Sequence, residues 1–342
     1  MMSLRKNPYG PVWGASGVQG FFGEGYPFHK IFRLVPGFSF EGMTFVAKTA
    51  TISPRQGNMP LKGIRPTERR PRCIYVDSSK GIALNAVGLS NPGFEALFNF
   101  RDREFRWQGR TTPFQLSFMS LEPTPEARQR EWKKFINLAS WHLPDLWTSN
   151  IGIQKNESCP NVGMDHSHID ELIDEIISNL DLARSLGVRC RLIIKLAANF
   201  PPQKVMAIAE HTLCWGLCVS NAIPWRAEIP WLPKDDQIDW DSLFGKGSIS
   251  PLKLRGFKQD GGLSGRPLLP IVCEWIRLAR QHGVRCHING GGGILSPEDV
   301  DSYADAGADS VFLGSIAFLR PWRVQKCIRR AHERLSKSSS PV

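Results

Sequence analysis

Two glycine-rich turns within residues 284–322 constrain the fold of this chain more than any other feature of its sequence. Each turn follows a short run of β-branched and apolar residues, 284–289 in the first case and 309–313 in the second. Four consecutive glycines occupy 290–293, and the pair 314–315 reads Gly-Ser. This order of strand, glycine turn and helix predicts two consecutive βα units.

The first of these turns leads into a helix start, with Ser296 at the N-cap position and Pro297 at the first helical position. Glycines let the backbone turn sharply and approach a ligand closely. Free N–H groups at a helix start favour an anion, typically a phosphate. Two such loops in succession are typical of the phosphate site that follows strands seven and eight of a (β/α)8 barrel. The alternative is that the glycines serve as turn residues only.

The barrel hypothesis can be tested by counting short apolar runs that end in Gly, Ser, Asn or Lys and lead towards a helix. Eight such runs alternate with helical patterns, which predicts an α/β fold of the (β/α)8 TIM-barrel class. The length of 342 residues fits one domain over 1–335 followed by a flexible tail over 336–342. The eight predicted strands are 11–16, 44–48, 114–119, 151–156, 191–196, 214–220, 284–289 and 309–313.

Two long segments interrupt this repeat. Residues 55–110 follow the second strand, and residues 224–260, which are rich in tryptophan and proline, follow the sixth. Both leave the carboxyl ends of their strands, where barrel enzymes place substrate loops. They are therefore expected to be long excursions that enclose a site.

The composition of the chain indicates which cellular compartment and which binding partners are expected. The N-terminus has no apolar signal core, and no apolar run approaches the roughly 18 residues of a membrane helix. The eight cysteines are scattered without a CxxC pair, which argues against zinc ribbons, iron–sulfur clusters and a secreted disulfide framework. A reducing cytoplasm is therefore expected. The net charge of +11 favours anionic ligands and only weakly indicates nucleic acid, and the basic run 65–72 is interpreted as a solvated loop.

Polar side chains recur where the predicted strands end. Lys48, Asn156 and Lys195 lie at strand ends, and Asn221 follows the sixth strand. A lone lysine at a strand end usually packs its aliphatic chain on apolar residues and keeps its ammonium group in water. Two lysines and several asparagines at one barrel mouth instead suggest a ligand site. Asparagine offers both a donor and an acceptor, which suits a flat imide-like ring. Cys159, in the loop after the fourth strand, is either a proton-transfer group or an inert small apolar residue.

The sequence resembles the FMN-dependent dihydroorotate dehydrogenase family. Nine stretches carry the resemblance and run in family order over nearly the whole chain. They are ASG at 15–17, KTATISPRQGNMP at 48–60, NAVGLSNPG at 85–93, NESCPNVG at 156–163, IIKL at 193–196, SNAIP at 220–224, GGLSGRPLLP at 261–270, GGGGI at 290–294 and AGADSVFLGSIAF at 306–318.

The resemblance implies a role for each matching residue. Cys159 falls where the class 1 branch has its catalytic cysteine, and Lys48 is a second catalytic candidate. The implied substrate-contacting residues are Lys48, Asn85, Gly88, Leu89, Asn156, Asn161 and Asn221. The implied FMN-binding residues are Ala15, Ser16, Gly17, Lys48, Thr49, Asn85, Asn156, Lys195, Gly262, Gly292, Gly293, Gly314 and Ser315. In such enzymes a base removes the C5 proton of the substrate while the C6 hydride passes to the flavin.

The chain also departs from the family pattern. Ala222 stands where a serine or threonine usually follows the asparagine, and residues 163–170, GMDHSHID, replace a loop that usually contains Gly, Lys and Pro. No metal is expected, because the His-x-His pair at 166 and 168 has no evident third ligand.

The expected function is oxidation of (S)-dihydroorotate to orotate in pyrimidine biosynthesis, with FMN as the cofactor. Two alternatives stay open: an FMN enzyme of the same fold acting on another dihydropyrimidine or on tRNA dihydrouridine, and a flavoprotein without turnover. The partner is expected to be a small-molecule substrate, with no nucleic acid and no membrane segment. A homodimer, an electron-transfer partner and the choice of acceptor among fumarate, NAD and a quinone are left open.

Overall fold

The computed structural model describes residues 7–100, 102, 105–144, 151–158 and 168–336 of the chain. Eight parallel strands form one sheet in the order β1-β14-β13-β10-β9-β8-β7-β2. A parallel bridge between Trp13 and Thr44 brings the two edge strands together and nearly closes the sheet into a barrel. The barrel strands are β1 (Val12–Gly14), β2 (Phe45–Val46), β7 (Phe114–Phe118), β8 (Ile151–Asn156), β9 (Arg191–Ala197), β10 (Cys214–Asn221), β13 (His287–Gly290) and β14 (Ser310–Leu313).

The predicted (β/α)8 barrel is confirmed, and each of the eight predicted strands overlaps one barrel strand. The strands form because each carries a short β-branched or aromatic run that both faces of a barrel wall can bury. All five residues of β7 and all six of β8 are buried, for example. A parallel sheet requires such coverage, since helices pack on its outer face.

The barrel interior follows from the period of two along each strand. Trp13, Val46, Ile193, Cys218 and Phe312 form a buried cluster of their own. On each of these strands, the residue two positions later has its side chain on the same face and lies nearer the carboxyl end of the barrel. Side chains at those positions therefore point into the barrel mouth.

The outer layer consists of helices whose apolar faces pack on the strands. The longest, α3, begins after Thr124, whose side chain accepts from the Ala127 amide, and buries Trp132 and Phe135. The helices are α1 (Pro27–Phe32), α2 (Phe94–Phe98), α3 (Pro125–His142), α4 (Ile169–Ser185), α5 (Met206–Ala209), α6 (Trp240–Phe244), α7 (Pro251–Leu254), α8 (Leu268–Gln281), α9 (Pro297–Asp305), α10 (Ile316–Leu319) and α11 (Val324–Leu335). None of these helices is long and apolar enough to cross a bilayer.

The two excursions meet in a second sheet that covers the barrel mouth. This roof sheet is antiparallel, in the order β11-β12-β6-β5, and joins strands that lie far apart in the sequence. Its strands are β5 (Ile74–Asp77), β6 (Ile82–Asn85), β11 (Ile223–Pro224) and β12 (Gly262–Gly265). A short hairpin of β3 (Leu61–Lys62) and β4 (Arg65–Pro66) precedes it. The basic run 65–72 therefore begins in this hairpin.

The excursion after β10 does not enclose the site in the way the sequence predicted. Trp225, Trp240 and Phe244 pack on one another, with ring centroids 4.7–6.2 Å apart. No residue of 226–260 lines the cavity described below. The segment contacts the roof sheet instead, with the ring centroids of Phe244 and Tyr75 6.4 Å apart. The division into one domain over 1–335 and a tail stays a prediction, and residues 337–342 lie outside the described residues.

Candidate active site

A cavity of about 270 Å³ opens at the carboxyl end of the barrel, beneath the roof sheet. This volume is near the lower end of small-molecule sites, which span roughly 300–1,000 Å³. Fifteen of the predicted site residues line it, although they come from segments spread over the whole chain. They are Ala15, Ser16, Gly17, Lys48, Thr49, Asn85, Gly88, Leu89, Asn156, Lys195, Asn221, Gly292, Gly293, Gly314 and Ser315.

The two glycine turns form one end of this cavity. Gly293 has φ +77°, and a Cβ there would lie 2.7 Å from the carbonyl oxygen of Gly265. A Cβ on Gly314 would lie 2.9 Å from that of Ala15. Ser315 stands at the N-cap of the short helix α10. Glycines at these places let neighbouring segments pack closely, and both turns line the cavity, where the backbone can approach a ligand.

Two lysines supply positive charge in the wall of the cavity. Lys48 follows β2, is 7% exposed, and donates a hydrogen bond from Nζ to the Ser90 carbonyl at 2.6 Å. Lys195 in β9 is 6% exposed, and its Nζ lies 5.7 Å from the centroid of the Phe312 ring. No aspartate or glutamate is among the residues that line the cavity. Two ammonium groups without a carboxylate among the lining residues give the cavity a positive potential, which favours an anionic ligand.

The asparagines do more than line the wall. The Asn221 amide donates from Nδ2 to the Ser158 carbonyl and, at 3.4 Å, to Oδ1 of Asn156. The same Oδ1 accepts from the Ser158 amide at 3.2 Å. Asn85 donates to the Gly262 carbonyl at 3.5 Å in the roof sheet. Asn156 and Asn221 thus hold the first residues of the loop that continues towards Cys159.

A chain of hydroxyl groups connects the cavity to the barrel interior. The Ser16 Oγ lies 2.7 Å from Thr49 Oγ1, which lies 2.8 Å from Ser117 Oγ. Ser16 also donates to the Ala47 carbonyl and accepts from the Thr49 amide, both at 2.9 Å. These bonds tie β1, β2 and β7 together directly below the ligand space.

Three predicted site residues are not part of the described cavity wall. Gly262 pairs with Asn85 across the roof sheet but does not line the cavity. Cys159 and Asn161 lie outside the described residues. No cluster of three or more potential metal ligands is found among the residues that the structure describes.

Several lining residues were not predicted from the sequence. Tyr26, Phe28 and His29 come from the segment of α1, and the Tyr26 hydroxyl donates to the Gly17 carbonyl at 2.7 Å. Burial lowers the pKa of His29 to about 4, with a smaller contribution from Arg33. His29 is therefore neutral at pH 7. Residues 18–43 show neither helical nor strand periodicity, so only their aromatic content could have drawn attention.

Three further lining residues bear on the chemistry. Ala222 lines the cavity, so the missing hydroxyl noted in the sequence is missing at the ligand surface. Phe312 and Phe318 contribute aromatic faces from β14 and α10. Such faces suit a flat ring system.

None of the seven described cysteines lines the cavity. Cys218 lies below it in the barrel interior, and its thiol donates to Asn289 at 3.5 Å. Burial raises the pKa of Cys218 to about 11, although Lys195 acts in the opposite direction. This thiol stays protonated at neutral pH and is a packing residue.

Comparison with known proteins shows that the chain resembles dihydroorotate dehydrogenases. It is 26% identical over 283 residues to a quinone-type enzyme of Delftia acidovorans, covering 82% of this chain and 72% of the relative. It is 28% identical over 276 residues to the catalytic subunit of an NAD⁺-type enzyme of Methanopyrus kandleri, covering 79% and 72%. It is 26% identical over 326 residues to a fumarate-type enzyme of Lacticaseibacillus paracasei, covering 94% and 91%. These relatives are oxidoreductases.

The fold is shared with solved structures as well. A dihydroorotate dehydrogenase of Eimeria tenella in complex with ferulenol aligns with a TM-score of 0.59 at 19% identity, covering 97% of this chain and 86% of that one. The ligand-free form aligns with a TM-score of 0.56. No family model matches the sequence.

Proposed function

We propose that this chain is an FMN-dependent oxidoreductase that converts (S)-dihydroorotate to orotate in pyrimidine biosynthesis. The observation that carries the proposal is the single cavity at the barrel mouth, which gathers fifteen residues that the family resemblance assigns to FMN and substrate. Its charge supports the same conclusion, because two lysines and no carboxylate line it. The curated relatives quoted above are named for this reaction.

The glycine turns and the aromatic faces fit FMN. Gly292, Gly293, Gly314 and Ser315 would hold the phosphate, because they line one end of the cavity in the turns that follow β13 and β14. Lys195, on the floor of the cavity, would stabilise negative charge on the ring system by electrostatics. When bound, FMN supplies the hydride acceptor for the reaction.

The remaining polar groups would bind the substrate, which carries a carboxylate and an imide-like ring. Lys48 would bind the carboxylate, because its ammonium group has three donors, lies in the cavity wall and gives one donor to the Ser90 carbonyl. Asn85, Asn156 and Asn221 would offer donors and acceptors to the ring. Because Asn221 also bonds to Ser158, substrate binding and the position of the following loop would be linked.

Cys159 is our proposed general base for the C5 proton. It follows Ser158 by one residue in the loop after β8, and Ser158 is held by both asparagines. A free thiol has a pKa of about 8.5, so the thiolate fraction and the rate of proton removal should rise with pH towards that value. None of the described cysteines lines the cavity, and the role of Cys159 rests on the family resemblance, since it lies outside the described residues.

Anaerobic stopped-flow reduction of the flavin by dihydroorotate, from pH 6 to 10, tests this proposal. We expect Cys159→Ala to keep FMN and bind orotate but to reduce its flavin roughly 100- to 10,000-fold more slowly. Cys159→Ser should keep some activity with a profile shifted to higher pH, because a hydroxyl is harder to ionise. The matched control is Cys286→Ala, which lies away from the cavity wall and should behave like the parent. An unchanged rate and pH profile in Cys159→Ala would exclude Cys159 as the base.

Ala222 gives a specific reason to test a second substrate class. Its methyl group lines the cavity where the family usually places a hydroxyl. One hydrogen bond to the substrate is thereby absent, so another dihydropyrimidine is the alternative. Flavin reduction by a panel of dihydropyrimidines separates the two functions. If none of these compounds reduces the flavin, the result supports the third alternative, a flavoprotein without turnover.

The electron acceptor and the compartment complete the proposal. The relatives are named for a quinone, for NAD⁺ and for fumarate, so resemblance does not choose among them. Reoxidation of the reduced protein by each acceptor decides the class. The seven described cysteines are free thiols, which supports a reducing compartment such as the cytoplasm.

A further inference from the structure

A second cavity, of about 340 Å³, lies beside the first and has a strongly basic wall. Lys80 reaches it from the turn between β5 and β6, and Arg266 from the segment after β12. Arg320 and Arg323 reach it from the segment after α10. No acidic residue is among those that line it.

The two cavities are separate but share three chain segments. Ser264 lines the first cavity and Arg266 the second. Ile294 and Phe318 likewise line the first cavity, whereas Leu295 and Arg320 line the second. The second cavity therefore lies behind the loops that enclose the first. It is therefore a distinct space and not an extension of the proposed flavin site.

Two of the four basic groups already have partners. Arg266 pairs with Asp299 at 2.5 Å, and the Lys80 ammonium donates to the Leu243 carbonyl at 2.5 Å. Arg320 donates to the carbonyl of Leu319 at 2.8 Å, and neither Arg320 nor Arg323 forms an ion pair with a described residue.

The nearby acidic groups lie outside the cavity wall, and one of them, Glu298, attracts Arg323. Asp77 accepts from the Ser79 and Lys80 amides in the turn, at 3.0 and 3.2 Å. Glu298, on α9, is exposed and does not line the cavity. Like charges around one space repel each other unless an anion joins them.

We propose that this second cavity is a binding site for a phosphate-bearing small molecule, separate from the site for FMN. Guanidinium groups bind phosphate oxygens through parallel hydrogen bonds, and two arginines with donors to spare converge here. The wall offers no aromatic face for a ring, so the phosphate group itself is the part that is recognised. The volume of about 340 Å³ is large enough for a diphosphate, which serves as the probe below.

Isothermal titration of the FMN-loaded protein with inorganic pyrophosphate, at constant ionic strength and with excess FMN, tests the site. We expect saturable binding that the double variant Arg320→Gln/Arg323→Gln weakens roughly tenfold or more, since each arginine contributes charge-assisted hydrogen bonds. Arg329→Gln, an exposed residue of α11, removes the same type of charge elsewhere and should change the affinity less than about twofold.

Three results would overturn the proposal. Binding that is as tight in the double variant as in the parent would place the anion elsewhere. Equal weakening by Arg329→Gln would show general attraction to a basic protein. Loss of pyrophosphate binding as FMN is added would assign the anion to the first cavity. If the double variant unfolds at a much lower temperature than the parent, the pyrophosphate affinity is measured in the single variants Arg320→Gln and Arg323→Gln instead.

Discussion

Asn221 lies in the cavity wall and also holds the backbone that surrounds it. It lines the cavity, and its amide also bonds to the Ser158 carbonyl and to Asn156. A side chain shared in this way couples the shape of the site to the position of the loop that follows β8. Replacing it should therefore affect substrate affinity and loop geometry together.

Asn221→Ala should weaken dihydroorotate binding by roughly 1–3 kcal/mol, the cost of leaving buried polar partners unsatisfied. Flavin content should stay close to that of the parent, because the glycine turns are untouched. Orotate titration followed by flavin absorbance measures the affinity. Asn99→Ala, at the exposed end of α2, is the control and should bind normally. A variant that loses FMN but keeps substrate affinity would contradict the assignment.

Gly292→Val should empty the flavin site. Gly292 has φ +129°, which side chains rarely adopt, and a Cβ there would lie 3.2 Å from that of Leu268. The measurement is the flavin-to-protein absorbance ratio after purification. Gly307→Val introduces the same residue at a position with φ +96° that faces only the Arg280 side chain, so it should keep its flavin. Full occupancy in Gly292→Val would refute the phosphate assignment.

At the level of elements, the roof sheet decides which parts of the excursions can touch a ligand. Strands β5, β6 and β12 contribute Ile74, Ala83, Asn85 and Ser264 to the cavity wall. The aromatic cluster of Trp225, Trp240 and Phe244 belongs to the excursion after β10, contacts this sheet at Tyr75 and does not line the cavity. Its contribution should therefore be to stability.

Trp240→Ala should lower the free energy of unfolding by about 3–5 kcal/mol, the usual loss on truncating a buried aromatic side chain. Trp240 is 8% exposed. Urea unfolding of the parent and the variant measures the difference. Flavin content at low temperature should be retained, because Trp240 does not line the cavity. Trp141→Ala, at a position that is 82% exposed, should be nearly neutral. Equal stability of the two variants would show that the cluster does not support the sheet.

For the molecule as a whole, the buried imidazole of His29 makes stability depend on pH. Burial lowers the pKa of His29 to about 4 in the folded state, against about 6.5 for an exposed histidine. Between these two values the unfolded chain binds a proton that the folded chain does not. The folded state is therefore destabilised as the pH falls from 6.5 to 4, and this contribution is constant above 6.5.

His29→Gln should flatten that part of the stability profile by at most about 3 kcal/mol, which corresponds to the shift in pKa. Thermal melting at half-unit pH steps, with the flavin removed, measures the slope. His282→Gln changes an exposed histidine and should keep the slope of the parent. If His29→Gln also keeps that slope, the acid sensitivity arises from other groups.

The sequence by itself determined the barrel and most of the residues at its mouth. Strands end and turns begin where local composition changes, as at the glycines 290–293, and these signals depend only on neighbouring residues. Since all strands of a parallel barrel end on the same side, polar residues at their ends, such as Lys48 and Lys195, could be expected to converge. The motif match supplied proposed roles that the pattern alone left open, and these roles stay predictions.

Only the tertiary structure decided how the excursions pair and which surfaces they create. Strand β12 pairs with β6 across about 180 residues of sequence, as in Gly262 with Asn85. No local pattern encodes such a pairing, because it depends on where the barrel returns the chain in space. The same reason applies to His29 in the cavity wall and to Arg266 and Arg320 around the second cavity. Local sequence specifies elements, whereas contacts between distant segments follow from how those elements pack.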